Sequence, residues 1–103
     1  MTARDLFYQK YLDFMKNVNI KTWQCIEESA KLQKVHPAWV VFSKYIVVTE
    51  NDIKANGGWN GELFKDLDQL HKDKLLASNK HRQYRCRVWC YWLTKKGFKQ
   101  LGF

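Results

Sequence analysis

Residues 49–79 read TENDIKANGGWNGELFKDLDQLHKDKLLASN, and the order of signals in this stretch decides the fold. Thr49 followed by Glu50 and Asp52 has the form of an N-cap with acids in the first helical turn. The pattern predicts a short helix with Ile53 and Ala55 inward. Asn56-Gly57-Gly58 ends it, because glycine takes a left-handed exit without a Cβ clash. Asn60 is then placed to cap a second helix over residues 60–74. Leu63, Phe64, Leu67 and Leu70 lie at i, i+1, i+4 and i+7 and form one apolar face. Asp68 and Lys72 make an i,i+4 pair in the favourable orientation. Leu75 to Ser78 reads as a strand.

Downstream, residues 80–103 read KHRQYRCRVWCYWLTKKGFKQLGF. They hold seven of the eight units of net positive charge and no acid, whereas residues 1–79 hold 11 basic and 10 acidic side chains. Tyr84, Val88, Trp89, Tyr91, Trp92 and Leu93 interleave with the cations. A disordered polybasic arm is poor in such residues, so the segment reads as a packed surface carrying a field, suited to a polyanion. Asn79 to Gln83 is expected as a turn, 84–94 as the returning strand and Lys95 to Leu101 as a closing helix.

Upstream, residues 3–17 place Leu6, Phe7, Tyr11, Phe14 and Met15 on a helical stripe that Thr2 can cap. Residues 20–34 continue with a weaker stripe through Trp23, Ile26 and Ala30, with Thr22 as the expected cap. His36-Pro37 stops that helix, and Pro37 suits the first position of the next. For 37–48 (PAWVVFSKYIVV), β-branched and aromatic content argues strand while length and the proline allow a buried helix; helix is the expectation.

At 103 residues the chain is expected to form one domain, residues 1–36 as a helical extension and 37–103 as the body. The aromatic fraction of 16% supplies large rings that let so short a chain close a core. The longest apolar stretch, Ala38 to Val48, is far short of a membrane span. The first residues do not read as a secretion signal, so none is expected, and three cysteines fit free thiols in a reducing cytosol. The expected location is therefore cytoplasmic, either nucleoid-associated or intracellular in a host cell.

The order of helix, short helix, glycine turn, amphipathic helix, strand, basic turn and strand resembles the winged helix-turn-helix family of DNA-binding domains. The residues that carry the resemblance are Leu67 and Leu70 in the second helix, Leu75-Leu76 after Lys74, and Tyr91, Leu93, Thr94 and Lys96-Gly97 at the end of the hairpin. The implied fold is α+β and mostly helical, with two extra N-terminal helices and a C-terminal β-hairpin wing. The implied function is duplex DNA binding by a transcriptional regulator of bacterial, phage or plasmid origin, with no chemistry. Residues 60–74 would be the recognition helix, offering Asn60, Gly61, Glu62, Lys65, Asp66, Gln69 and Lys72. Residues 79–87 would be the wing tip, offering Lys80, His81, Arg82, Arg85 and Arg87 to phosphates or the minor groove. Lys95, Lys96 and Lys99 would add cations behind it.

Two features depart from that pattern. Residues 60–74 carry four acids (Glu62, Asp66, Asp68, Asp73) against three lysines (Lys65, Lys72, Lys74). Carboxylates between two phosphate rows are costly unless they read cytosine amino groups, so the wing is expected to carry most of the affinity. The strand face Tyr84, Cys86, Val88, Cys90 and Trp92 is apolar too, so helices 3–34 or a second copy of the chain must cover Val88 and Trp92. A homodimer through residues 3–34 and that face is the expected assembly.

Two other readings fit the same residues. One is a protein-docking module on the same scaffold, such as a mobile-element protein gripping a host factor. Another is a single-strand or RNA binder stacking bases on Tyr84, Trp89 or Trp92. Metal binding by His81, Cys86 and Cys90 is not expected, because residues four apart on a strand are separated by about 13 Å. His36, His71 and His81 do not cluster in sequence, and no phosphate loop or nucleophile elbow is present. The expectation is a non-enzyme without cofactor.

Overall fold

The computed structural model describes residues 1–79 and 89–103. Among them are six α-helices and a three-stranded antiparallel sheet, an α+β arrangement that is mostly helical. The chain runs α1 (Ala3–Asn17), α2 (Ile20–Gln33), α3 (Pro37–Lys44), β1 (Val48–Thr49), α4 (Glu50–Ala55), a 3₁₀ turn (Gly58–Asn60), α5 (Glu62–Lys72), β2 (Leu76–Ser78), β3 (Cys90–Leu93) and α6 (Lys95–Gln100).

The N-terminal helices start where polar caps dictate. Thr2 Oγ1 accepts from the Asp5 N–H at 3.1 Å, and the Asp5 carboxylate accepts in return from the Thr2 N–H. Asn19, not Thr22, caps α2, its Oδ1 accepting from the Thr22 N–H at 2.8 Å. The two extended residues Val18 and Asn19 turn the chain, and Asn19 meets the third N–H of the new helix. Lys34 closes α2 in the left-handed region (φ 57°), and the Val35 N–H reaches the Ala30 carbonyl at 3.0 Å.

Residues 37–48 do not form one helix. After Pro37–Lys44 the chain extends, and Val48 pairs with Tyr91 and Thr49 with Cys90. Strand pairing across more than 40 residues overrides the helical option, as the β-branched run Ile46-Val47-Val48 favours. β3 is therefore central, in the order β1-β3-β2, with Leu76 opposite Leu93 and Ser78 opposite Tyr91.

The turn between α4 and α5 is tighter than the sequence implied. Gly57 and Gly58 both have positive φ, and a Cβ on Gly61 would lie 2.9 Å from the Gly57 carbonyl carbon and oxygen. The turn thus folds onto itself. Gly61 takes the N-cap position of α5 with no side-chain cap, correcting the expected role of Asn60. Ala55 is exposed while Ile53 is fully buried, so only one of the two expected residues of α4 faces inward.

All elements share one core. Phe7 of α1, Ile26 of α2, Val41 and Phe42 of α3, Val48, Ile53, Leu63 and Leu67 of α5, and Tyr91 and Leu93 of β3 are all at most 2% exposed. The helices 3–34 are thus built into the body. Three polar contacts fasten α1: Lys10 Nζ sits 2.9 Å from Asp52 Oδ2, the Ala3 N–H donates to Asp66 Oδ2 at 2.6 Å, and Arg4 Nε–H donates to the Leu101 carbonyl at 2.7 Å. At the foot of the hairpin, Gly97 lies so close to Leu75 that a Cβ would fall on the Leu75 carbonyl oxygen. Thr94 ties the same corner, its hydroxyl donating to the carbonyls of Lys74 and Leu75 and accepting from the Gly97 N–H.

Candidate nucleic-acid interface

The helix expected to meet the nucleic acid, α5, is held from behind by its apolar face. Leu63 and Leu67 are buried, Phe64 and Leu70 half-buried. The His71 ring stands edge-on to Tyr91, with centroids 5.8 Å apart, and shares a 3.1 Å hydrogen bond with Ser78 of β2. Trp59 stands edge-on to Phe64 and Trp89 at 5.0 and 6.0 Å and remains 39% exposed. It plugs the glycine turn and still shows one side to water. Burial pushes the Tyr91 phenol above its ordinary value, as expected for a ring inside the sheet–helix layer.

The outward face of α5 carries more acids than cations. Lys72 Nζ lies 3.1 Å from Asp68, Lys65 lies 4.0 Å from Glu62, and the Gln69 amide donates to Asp73 at 3.2 Å. Asp66 is half-buried rather than exposed, because it accepts the Ala3 N–H at the start of α1. Met1 and Thr2 border a shallow hollow with Glu62, Lys65 and Asp66, so the N-terminal segment lies beside the first turn of α5. The cations of this face are engaged with neighbouring acids on their own helix. Such exposed pairs are worth little and can be exchanged for phosphate, but the face as a whole attracts no polyanion.

Asn60 is exposed on the 3₁₀ turn in front of α5. Lys80, His81, Arg82, Arg85 and Arg87 lie outside the described residues, as do Tyr84, Cys86 and Val88. Their flanks are described: the Asn79 N–H donates to the Cys90 carbonyl, and the Glu50 N–H donates to the Trp89 carbonyl, both at 3.0 Å. The acid-free segment 80–88 therefore joins two strands that pair antiparallel. Along β3, Tyr91 and Leu93 are buried and Cys90 and Trp92 half-buried, the alternation expected of a strand with its inner face on the core.

Lys95 and Lys96 stand exposed at the start of α6. They follow directly on the base of the β2–β3 pair. Thr94 bonds to Leu75 at the base of the hairpin, whereas Asn79 and Trp89 mark the other end of the two strands. Four strand residues amount to about 13 Å. Lys95 and Lys96 thus stand at the opposite end of the strands from Asn79 and Trp89.

Among the described residues no group of three or more His, Cys, Asp or Glu side chains converges on a metal position. No helix among them is long and apolar enough to cross a membrane. No family model, no curated protein and no solved structure matches the chain.

Proposed function

We propose that the chain is a small duplex DNA-binding protein of winged-helix architecture, a regulator that binds and occludes without chemistry. The observation that carries this reading is the joint arrangement of α4 and α5 across a tight glycine turn with a sheet ordered β1-β3-β2, whose β2–β3 connection carries five basic residues (counting His81) and no acid. Helix, strand, helix, helix, strand, strand in that sheet order is the connectivity of a winged helix. The connection 80–88 would be its wing.

The charge balance on α5 sets the mode of binding. With four acids against three lysines over residues 60–74, α5 contributes fit rather than attraction. The Coulomb attraction comes from Lys80, Arg82, Arg85 and Arg87, and backbone contacts of that kind position a protein without reading bases. Lys95 and Lys96, exposed at the base of the hairpin, add positive charge behind it. Tyr8 and Leu12, one turn apart on α1, and Leu32 on α2 are exposed apolar residues, and they support a homodimer formed through these helices.

One observation favours a second reading, a protein-docking module. The acidic residues Glu62, Asp68 and Asp73 on the outer side of α5 suit a basic partner surface better than DNA. A fluorescence-anisotropy titration with random duplex, single strand and RNA separates the readings. If about six phosphates are neutralised, duplex affinity falls roughly a thousandfold between 50 and 200 mM salt. Charge reversal at Arg85 and Arg87 weakens duplex binding far more than Lys65→Ala. No duplex binding at low salt would hand the case to protein docking, and preference for single strands would point to base stacking.

A further inference from the structure

Two cations of the C-terminal run meet others from elsewhere in the chain. Lys95 and Lys99 of α6 line an open cleft of about 310 Å³ together with Lys34 and His36, which belong to the α2–α3 turn. Its apolar floor is Val35, Trp39 and Phe98, with the indole and phenyl rings tilted at 59° and centroids 5.4 Å apart. We propose that this cleft binds one nucleotide unit, its phosphate held by the three ammonium groups and His36 and its base lying on the Trp39–Phe98 floor.

The polar side chains of the cleft are almost all donors. His36 Nδ1 accepts the Ala38 N–H at 3.0 Å, so in the neutral ring Nε2 carries the proton and is a donor. Lys34, Lys95 and Lys99 make no ion pair among the described residues, in contrast to Lys10, Lys65 and Lys72. No carboxylate lines the cleft. A rim of donors without an acceptor side chain suits a ligand that only accepts, and phosphate is such a group. The floor adds the apolar half that free phosphate would leave uncovered, and aromatic surfaces hold bases by stacking. The volume is at the lower end of the range for small-ligand sites and admits a single nucleotide rather than a duplex.

The backbone keeps the cleft in shape. Lys34 is fixed in the left-handed conformation by the end of α2, and α6 is anchored through Thr94 and Gly97. Two segments about 60 residues apart in sequence thus meet at the site. The inference does not depend on duplex binding, because none of its residues belongs to the hairpin connection.

The test is a ¹H–¹⁵N titration of the full chain with adenosine 5′-monophosphate, adenosine, inorganic phosphate and a short oligothymidine. Adenosine monophosphate should shift the amides of Lys34, Val35, Gly97 and Lys99 in a saturable way. Adenosine and phosphate alone should bind at least about tenfold more weakly, since each supplies only one half of the contacts. The double variant Lys95→Gln/Lys99→Gln, altered only at exposed positions, should lose about tenfold or more, whereas Lys21→Gln on α2 should lose nothing. If oligothymidine shifts the same amides at lower concentration than the mononucleotide, the nucleotide comes from a single strand; the reverse order makes it a free nucleotide. Absence of shifts at about 5 mM nucleotide, equal response to adenosine and its monophosphate, or shifts centred on Asn79 and Trp89 would each overturn the proposal.

Discussion

Asp52 is the one acid in the described structure that joins two functions, and its removal tests how α1 is held to the helix pair. Its Oδ2 accepts from the Thr49 N–H at 2.9 Å and from the Thr49 hydroxyl at 3.2 Å, and it lies 2.9 Å from Lys10 Nζ. Losing the cap costs about 1 kcal/mol. The ion pair is partly shielded, with side chains 29% and 25% exposed, so it adds more than a surface pair at the low end, about 1 kcal/mol. Asp52→Ala should therefore cost about 2 kcal/mol, a fall in Tm of roughly 8–16 °C for a domain of this size. The isosteric Asp52→Asn keeps an acceptor and loses the charge, so it should cost about half as much. Partial burial raises the Asp52 pKa, but the Thr49 hydrogen bonds and Lys10 outweigh it and hold the carboxyl below the ordinary 3.8. A lowered folded-state pKa means that this stability is present above the unfolded value and is lost as pH falls through the folded one. Urea melts of the wild type and Asp52→Asn should differ at pH 7 and converge when both side chains are neutral in acid. A gap that is absent at pH 7, or that persists unchanged at the acid end, would refute the reasoning.

Other expected outcomes follow from backbone and surface. Lys34→Gly and Lys74→Gly relieve left-handed residues (φ 57° and 63°) at helix ends, and each should stabilise by about 0.5–1 kcal/mol in thermal melts. Gly97→Ala sets a methyl group against the Leu75 carbonyl, and the overpacking should cost about 2 kcal/mol or more despite a better helix residue. Asp66→Ala should free the start of α1, read as faster amide exchange at Ala3 to Leu6, with little change in the melting of the core. Leu12→Glu should shift a dimer to monomer in sedimentation without a loss of secondary structure, and an unchanged sedimentation coefficient would remove α1 from the interface.

The amphipathic helices were legible because their signals are local. Thr2, Pro37 and Thr49 mark helix starts by chemistry that acts within three residues, and Leu63, Leu67 and Leu70 mark a face by spacing alone. The capping of α5 was misplaced because Asn60 and Gly61 are distinguished only by the closeness of Gly57, a contact made after the turn has formed. The end of α3 was missed for a related reason: β1 exists because Tyr91 and Cys90 are there to receive it.

On the side of function, sequence alone determined that cations concentrate in the C-terminal run and that acids collect on residues 60–74, since charge is carried by each residue wherever it goes. What only tertiary structure decided is how those charges are shared out. The turn into α6 sends Lys95 and Lys99 to meet Lys34 and His36, and α5 brings Lys65 and Lys72 near Glu62 and Asp68. Coulomb interactions depend on distance through space, and a chain's sequence spacing sets that distance only within a single regular element.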